Sequence, residues 1–211
     1  VAGGRVAGVT LAGGERVAAG QVVVAAGAWT GALAGLPEDA RVPVRPVKGQ
    51  ILRLRDPAGP GLLQRVVRME RGYLVPRGDG RYVLGATMEE RGFDTDVTAG
   101  AVSELLRDAG ELVPGIAELV LEELEAGLRP GTPDNAPALG PSPAVAGLHW
   151  AAGHHRNGIL LTPITAELVA AGLAGEPLGE LAAPFSPARF ADGTARGAAG
   201  VGAADGTGAG R

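Results

Sequence analysis

Five apolar residues in a row, Val22, Val23, Val24, Ala25 and Ala26, stop at Gly27. A strand with one wet face alternates polar and apolar side chains. A run that does not alternate suits a parallel strand covered on both faces, which gives this part of the chain an α/β character. After Gly27 come Ala28, Trp29 and Thr30 and a short helical stretch to Leu36. A buried strand that stops at a glycine and opens a helix has the geometry of a βα turn facing a ligand. On this segment alone an ordinary strand end accounts for the pattern better. Upstream, Val6, Val9 and Leu11, the turn Gly13-Gly14 and then Val17 read as a β-hairpin feeding that strand.

Residues 37–46 read as a connection carrying Pro37, Pro43 and Pro46. Strand candidates follow at 50–55, with Leu52 and Leu54 on one face, at 66–69 and at 73–76. The turn Arg77-Gly78-Asp79-Gly80-Arg81 leads to a return strand over 82–88. Gly and Asp tolerate the positive φ of tight hairpins, so this sheet is expected to be largely antiparallel. Val102, Leu105, Leu106, Ala109, Leu112 and Val113 recur at helical spacing. They predict a helix over 98–113, capped by Thr98 and ended by Pro114-Gly115. A strand is expected over 119–127 and a proline-stiffened loop over 127–134. Another strand, 148–153, stops at Gly153 and leads into the polar turn His154-His155-Arg156-Asn157-Gly158. A helix follows over 159–173 with Ile164, Leu168 and Leu173 on its apolar face. Pro163 is tolerable there only in the first turn. Residues 191–211 are mostly Gly and Ala, with Val201 as the one large aliphatic, which predicts a disordered tail.

Composition removes several chemistries. There is no cysteine, so disulfides, a thiol nucleophile and thiolate-bound metals are excluded, and a reducing compartment such as the cytoplasm fits. The net charge is −4 with no basic run, which argues against nucleic acid. No apolar run approaches the roughly 20 residues of a membrane helix. Aromatics are 3%, too few for a carbohydrate- or peptide-binding platform. Neither a nucleophile elbow nor a Walker loop occurs, and no Gly-x-Gly-x-x-Gly follows an N-terminal strand. His149, His154 and His155 read as turn or pocket histidines rather than metal ligands, since neighbours in an extended chain point apart. Glu122, Glu123 and Glu125 read as a solvated face rather than an acid–base pair. Arg129 and Arg156 each offer a planar fork matched to a carboxylate, though a surface role is the default for either alone.

Several segments in order carry a resemblance. Residues 153–163, beginning Gly153-His154-His155-Arg156-Asn157-Gly158-Ile159-Leu160, resemble the flavin-contacting stretch of glycine oxidases of thiamine biosynthesis. Residues 127–134, with Arg129-Pro130-Gly131-Thr132, resemble the substrate-carboxylate loop of that group. Val22–Trp29, Pro46-Val47-Lys48-Gly49-Gln50, residues 73–77 and Gly85-Ala86-Thr87-Met88-Glu89 are supporting matches. Over residues 5–190 the chain thus resembles the FAD-dependent D-amino-acid and sarcosine oxidase family, its glycine-oxidase subgroup best. Arg71 stands where that group often has His, and His155 where it commonly has an aromatic; each bears on substrate preference.

The resemblance implies a truncated, Rossmann-like FAD-binding α/β domain supplied by residues 1–36 and 130–190. This domain interleaves with an antiparallel-sheet α+β substrate domain at 37–129, and the tail is 191–211. It implies that Arg129 grips the substrate carboxylate, that Tyr73 adds a hydroxyl, that Met88 lines the small pocket and that Arg156 sits near the substrate. His154, His155, Arg156, Asn157, Gly158, Ile159 and Leu160, with Ala26, Gly27 and Trp29, would lie along the flavin. The helix that begins near Ile159 would aim its positive end at the ring. The implied reaction is oxidative deamination of glycine or a similar small amine, in a homo-oligomeric cytoplasmic enzyme. Its product would be handed to thiazole synthase. The chain starts at Val1 without the family's N-terminal strand, Gly-rich loop and ribose-binding acidic residue, and so reads as the C-terminal part of such an enzyme. Two alternatives stay open: another oxidase or dehydrogenase of the family, and an inactive fragment that binds no FAD alone.

Overall fold

A computed structural model describes residues 1–191 of the chain; all of the expected tail but Ala191 lies outside them. In chain order the strands are β1 (Gly8–Thr10), β2 (Arg16–Ala18), β3 (Val22–Val24), β4 (Arg45–Arg55), β5 (Val67–Arg68), β6 (Tyr73–Pro76), β7 (Arg81–Gly85), β8 (Val120–Gly131), β9 (Ala138–Pro141) and β10 (Leu148–Ala152). Helix α1 (Ala99–Leu112) precedes β8, and α2 (Thr162–Ala174) follows β10. The chain divides into two compact units: Val1–Arg45 with the described residues from Pro130 on, and Pro46–Arg129.

In the first unit β1 and β2 form the antiparallel hairpin, and β3, β10 and β9 form a sheet in that order. β3 runs parallel to β10, Val24 opposite Trp150, while β9 runs antiparallel to it. The apolar run is shorter as a strand than its composition implied. It ends at Val24, Ala25 is exposed, and the backbone turns at Gly27 with φ +54° into a 3-10 turn, Gly27–Ala32. β3 is also the outer strand of its sheet, and Val22 and Val23 are only half-buried. Val24, Leu148, Trp150 and Ala152 pack with Val42, Val44, Val145 and Phe190 into one core.

Helix α2 begins at Thr162, three residues later than its apolar spacing suggested. Pro163 forbids a helix earlier, because its ring clashes with the preceding turn and its nitrogen cannot donate; in the first turn neither matters. Gly175 ends α2 in the left-handed conformation at φ +76°. Ile164, Leu168 and Leu173 are half-buried, and no α2 residue is fully buried. The chain's last described turn is tied back by Arg189. It donates to both oxygens of Asp134 (Nε to Oδ2 2.8 Å) and to the Ala136 carbonyl, and lies 4.0 Å from the Phe190 ring centroid.

The second unit is an antiparallel sheet in the order β5-β6-β7-β4-β8. Alternation along β4 sends Leu52 and Leu54 to one face, where they pack with Leu74, Leu84, Leu105 and Ala109 under α1. α1 is capped where expected, the Thr98 hydroxyl accepting from Ala101 N–H. On the opposite face lie Ile51, Arg53 and Arg55. Arg53 pairs with Glu123 and Glu125 and Arg55 with Glu122, so these glutamates are engaged in ion pairs.

Two strands differ from expectation. β7 stops at Gly85 rather than at Met88. β8 runs on through Arg129 and Pro130, so Arg129 stands on a strand rather than in a loop. β8 is the outer strand of its sheet, where a proline's missing N–H breaks no ladder bond.

Candidate active site

The second unit offers a cleft of about 530 Å3 lined by Gly49, Ile51, Thr95, Glu125, Gly127 and Arg129, among others. Its distinctive wall is the contact between β4 and β8. The Arg129 guanidinium lies against Gly49, and a Cβ on Gly49 would fall on its Nη1, Nη2 and Cζ. Two backbone carbonyls accept from Nη1: Thr87 at 3.0 Å and Lys48 at 3.4 Å. A planar cation so seated is aimed by the backbone rather than by its own flexible stem, which is the arrangement that favours two-point binding of a carboxylate.

Tyr73 stands on the same face of the sheet. Gly85 lies opposite both Ile51 and Tyr73 in register, so the three form one row across β4, β7 and β6. A Cβ on Gly85 would come within 2.8 Å of Ile51 and 3.3 Å of the Tyr73 hydroxyl; the glycine lets them close in. Tyr73 is 38% exposed and Met88 69%, and neither lines the cleft itself. Gly49 and Ile51, which do, carried no role of their own in the sequence. The signal for Gly49 was a glycine inside a strand, which marks close approach of another group.

The first unit gathers the other candidates. β3 and β10 are parallel, so the loops leaving them emerge at the same end of the sheet, the place where open α/β sheets bind ligands. Ala26, Gly27 and Trp29 leave β3; Gly153 to Leu160 leave β10. Trp29 is 57% exposed, Ile159 94% and Leu160 78%, large apolar side chains left open to a ligand on the loops that leave these two strands. His155 holds φ +50°, uncommon for a residue with a Cβ, and its N–H donates to the Pro130 carbonyl at 2.9 Å. Arg156 and Asn157 are exposed, and no side chain caps the first turn of α2.

His154 is half-buried, with Nε2 3.0 Å from the Thr165 hydroxyl; burial lowers its pKa. His149 is 4% exposed and its Nδ1 has no partner among the described residues; desolvation lowers its pKa too. Both rings are therefore held neutral in the folded protein. The unfolded chain binds the extra protons first, so this contribution to stability is complete above about pH 6.5 and is lost as pH falls below that value toward the folded pKa. Urea unfolding between pH 7.5 and 5 is expected to show a falling midpoint, and His154→Gln is expected to flatten the fall. An unchanged slope in the variant would show that His154 is not held neutral by the fold. No group of three or more potential ligands is placed to hold a metal among the described residues, and no helix there is long and apolar enough to cross a membrane.

Residues 1–172 match the family described as FAD dependent oxidoreductase. A glycine oxidase of Pseudomonas aeruginosa is 40% identical over 187 residues, covering 88% of this chain and 50% of that protein. A bifunctional protein ThiO/ThiG of Synechocystis is 43% identical over 171 residues, covering 80% and 25%. A hydrogen cyanide synthase subunit HcnC of Pseudomonas aeruginosa is 38% identical over 169 residues, covering 80% and 40%. The crystal structure of glycine oxidase from Geobacillus kaustophilus matches with a TM-score of 0.74 at 42% identity, covering 83% of this chain and 46% of that one. The chain thus spans at most about half the length of these relatives. It belongs to the FAD dependent oxidoreductase family. Within that family its similarity is to the glycine-oxidase type.

FAD is the cofactor of this family. The exposed apolar side chains of Trp29, Ile159 and Leu160, on the loops that follow two parallel strands, have the chemistry that a flat aromatic ring needs. The uncapped first turn of α2 adds a positive dipole end close by in sequence.

Proposed function

We propose that the protein containing this chain oxidises glycine or a similarly small amine with FAD. One observation carries the reading: the Arg129 guanidinium is seated on the Thr87 and Lys48 carbonyls, against Gly49, in the wall of an open cleft. When bound, FAD would supply the two-electron oxidation of the substrate's Cα–N bond to an imine, which water would hydrolyse to a 2-oxo acid and ammonia, with oxygen as the final acceptor giving hydrogen peroxide. The protein's own residues bind and orient. Arg129 takes the substrate carboxylate in a two-point grip, and Tyr73 adds its hydroxyl to it. Met88 and Arg156 border the substrate, while Ala26, Gly27, Trp29 and His154 to Leu160 line the flavin. Fixing the carboxylate fixes the direction of the Cα–H bond, so that orientation supplies much of the rate and no protein nucleophile is required.

The test is to express the protein from its natural reading frame and follow the flavin spectrum and peroxide release on glycine, sarcosine and D-alanine. Flavin binding with peroxide from glycine or sarcosine is expected. Flavin binding without turnover of any small amine would overturn the substrate assignment. Dye reduction without oxygen uptake would make the protein a dehydrogenase. Equilibrium dialysis of the 211 residues alone against FAD shows what share of cofactor binding they carry; the expected result is no tight uptake.

A relative whose name joins ThiO to ThiG supports hand-off of the product to a thiazole synthase; that the enzyme is a cytoplasmic homo-oligomer is part of the same proposal. The similarity to a hydrogen cyanide synthase subunit supports a second reading, in which the product is cyanide. Cyanide among the products of glycine turnover would decide for it.

A further inference from the structure

The seat of Arg129 is itself built by side chains on the hidden side of the sheet. Ile51 lies opposite Gly85, but Lys48 lies opposite Glu89. Two residues of β4, Gly49 and Gln50, therefore face three, Ala86, Thr87 and Met88, which is a bulge. Bulges re-aim backbone groups next to sites, and they need pinning because the ladder is interrupted there. The pins are dense. Gln50 N–H donates to the Thr87 hydroxyl oxygen at 2.9 Å, and that hydroxyl donates to Glu89 Oε1 at 2.5 Å. The Gln50 amide donates to Glu89 Oε1 at 2.7 Å and to the Thr98 hydroxyl at 3.4 Å, and accepts from Thr98 N–H at 2.8 Å. Lys48 Nζ is held by Asp94 at 2.7 Å and by the Asp96 carbonyl. Lys48 and Gln50 have no exposed surface at all. Sealing a lysine and a glutamine into a small sheet is costly unless every polar atom finds a partner.

We propose that Gln50 and Thr87 are positioning residues for Arg129: their buried side-chain bonds hold the bulge so that the Thr87 carbonyl receives the guanidinium. The inference rests on the reading that Arg129 binds the substrate carboxylate, and it names what tunes that binding. Thr87 is the hinge of the arrangement. Its hydroxyl faces Gln50 and Glu89, while its carbonyl faces Arg129. Glu89 is kept ionised in this network. Its burial opposes the charge most, but the bonds from Thr87 and Gln50 with the nearby Lys48 and Arg91 outweigh that and lower its pKa.

The experiment compares Thr87→Val, which removes the hydroxyl at nearly constant shape, with Thr87→Ser, which keeps it, in the protein from its natural reading frame. KM and kcat for glycine, the Kd of acetate as a bare carboxylate probe, and the thermal midpoint are measured for each. Thr87→Val is expected to raise the acetate Kd about tenfold and to lower kcat/KM for glycine by at least that factor, and Thr87→Ser to restore both. A purely structural role would lower the thermal midpoint and leave the folded fraction's acetate Kd alone, and that result overturns the inference. If Thr87→Val does not fold, Gln50→Asn carries the same test, because one methylene less breaks the bonds to Glu89 and Thr98. Arg129→Leu separates the two levels. An acetate Kd unchanged in Arg129→Leu sinks the underlying reading; a Kd raised in Arg129→Leu but not in the Thr87 and Gln50 variants sinks only the positioning role.

Discussion

Arg129→Leu is expected to lower kcat/KM for glycine by about a thousandfold. Each hydrogen bond from a guanidinium to a carboxylate contributes roughly 1.5–3 kcal/mol, and a two-point grip loses both, so the fall lies between about 10²- and 10⁴-fold. Arg129→Lys keeps the charge but not the fork and is expected to recover only part of the loss. The substitution also touches the fold, because it leaves the Thr87 carbonyl without this donor, at roughly 1–3 kcal/mol if water does not reach it, while the Lys48 carbonyl keeps the Glu89 N–H. The control is an amine of similar size without a carboxylate. If Arg129 grips the carboxylate, turnover of that amine is unaffected in the folded variant while glycine turnover collapses. Equal losses on both would show that Arg129 supports the sheet and not the substrate.

Local signals in the sequence were reliable where the structure obeys local rules. Thr98 caps α1, and Gly13-Gly14 and Gly78-Asp79-Gly80 turn hairpins, because each depends on the few residues around it. The parallel pairing of β3 with β10 was foreshadowed by the unbroken apolar run, although its partner lies more than a hundred residues away. The failures were places where tertiary context overrides the local preference. Pro130 was expected in a stiff loop beyond a strand ending at Gly127, yet β8 passes through it because an outer strand tolerates a missing donor. β9, Ala138–Pro141, is short and carries Gly140 and Pro141, so nothing in its residues announced a strand; pairing with β10 makes it one. The family and its cofactor were legible because several motifs stood in order along the chain. The seat of Arg129 was not. It joins residues 48–50, 87–89, 94–98 and 129, and no local pattern in any of those segments points to the others.

Gly49→Ala should separate binding from stability more cleanly than any change at Arg129. The new methyl would occupy the space of the guanidinium, which is the far end of a flexible side chain and can swing aside. Gly49 sits within β4 at no positive φ, so alanine fits its backbone, and losing glycine's unfolded-state freedom contributes about 0.4–1 kcal/mol in the variant's favour. The thermal midpoint is therefore expected to stay within a few degrees of the parent. A displacement of about an ångström at an orienting group is enough to cost on the order of a hundredfold. The glycine kcat/KM is expected to fall by about that factor, and the acetate Kd to rise with it. Gly85→Ala offers the contrast: its methyl would meet Ile51 and Tyr73 rather than Arg129, so it should disturb the row of β4, β7 and β6 and lower stability more. A Gly49→Ala protein that melts at the parent temperature and binds acetate as the parent does would mean that the guanidinium's position over β4 is irrelevant to the substrate. The carboxylate would then have to be held by some other group.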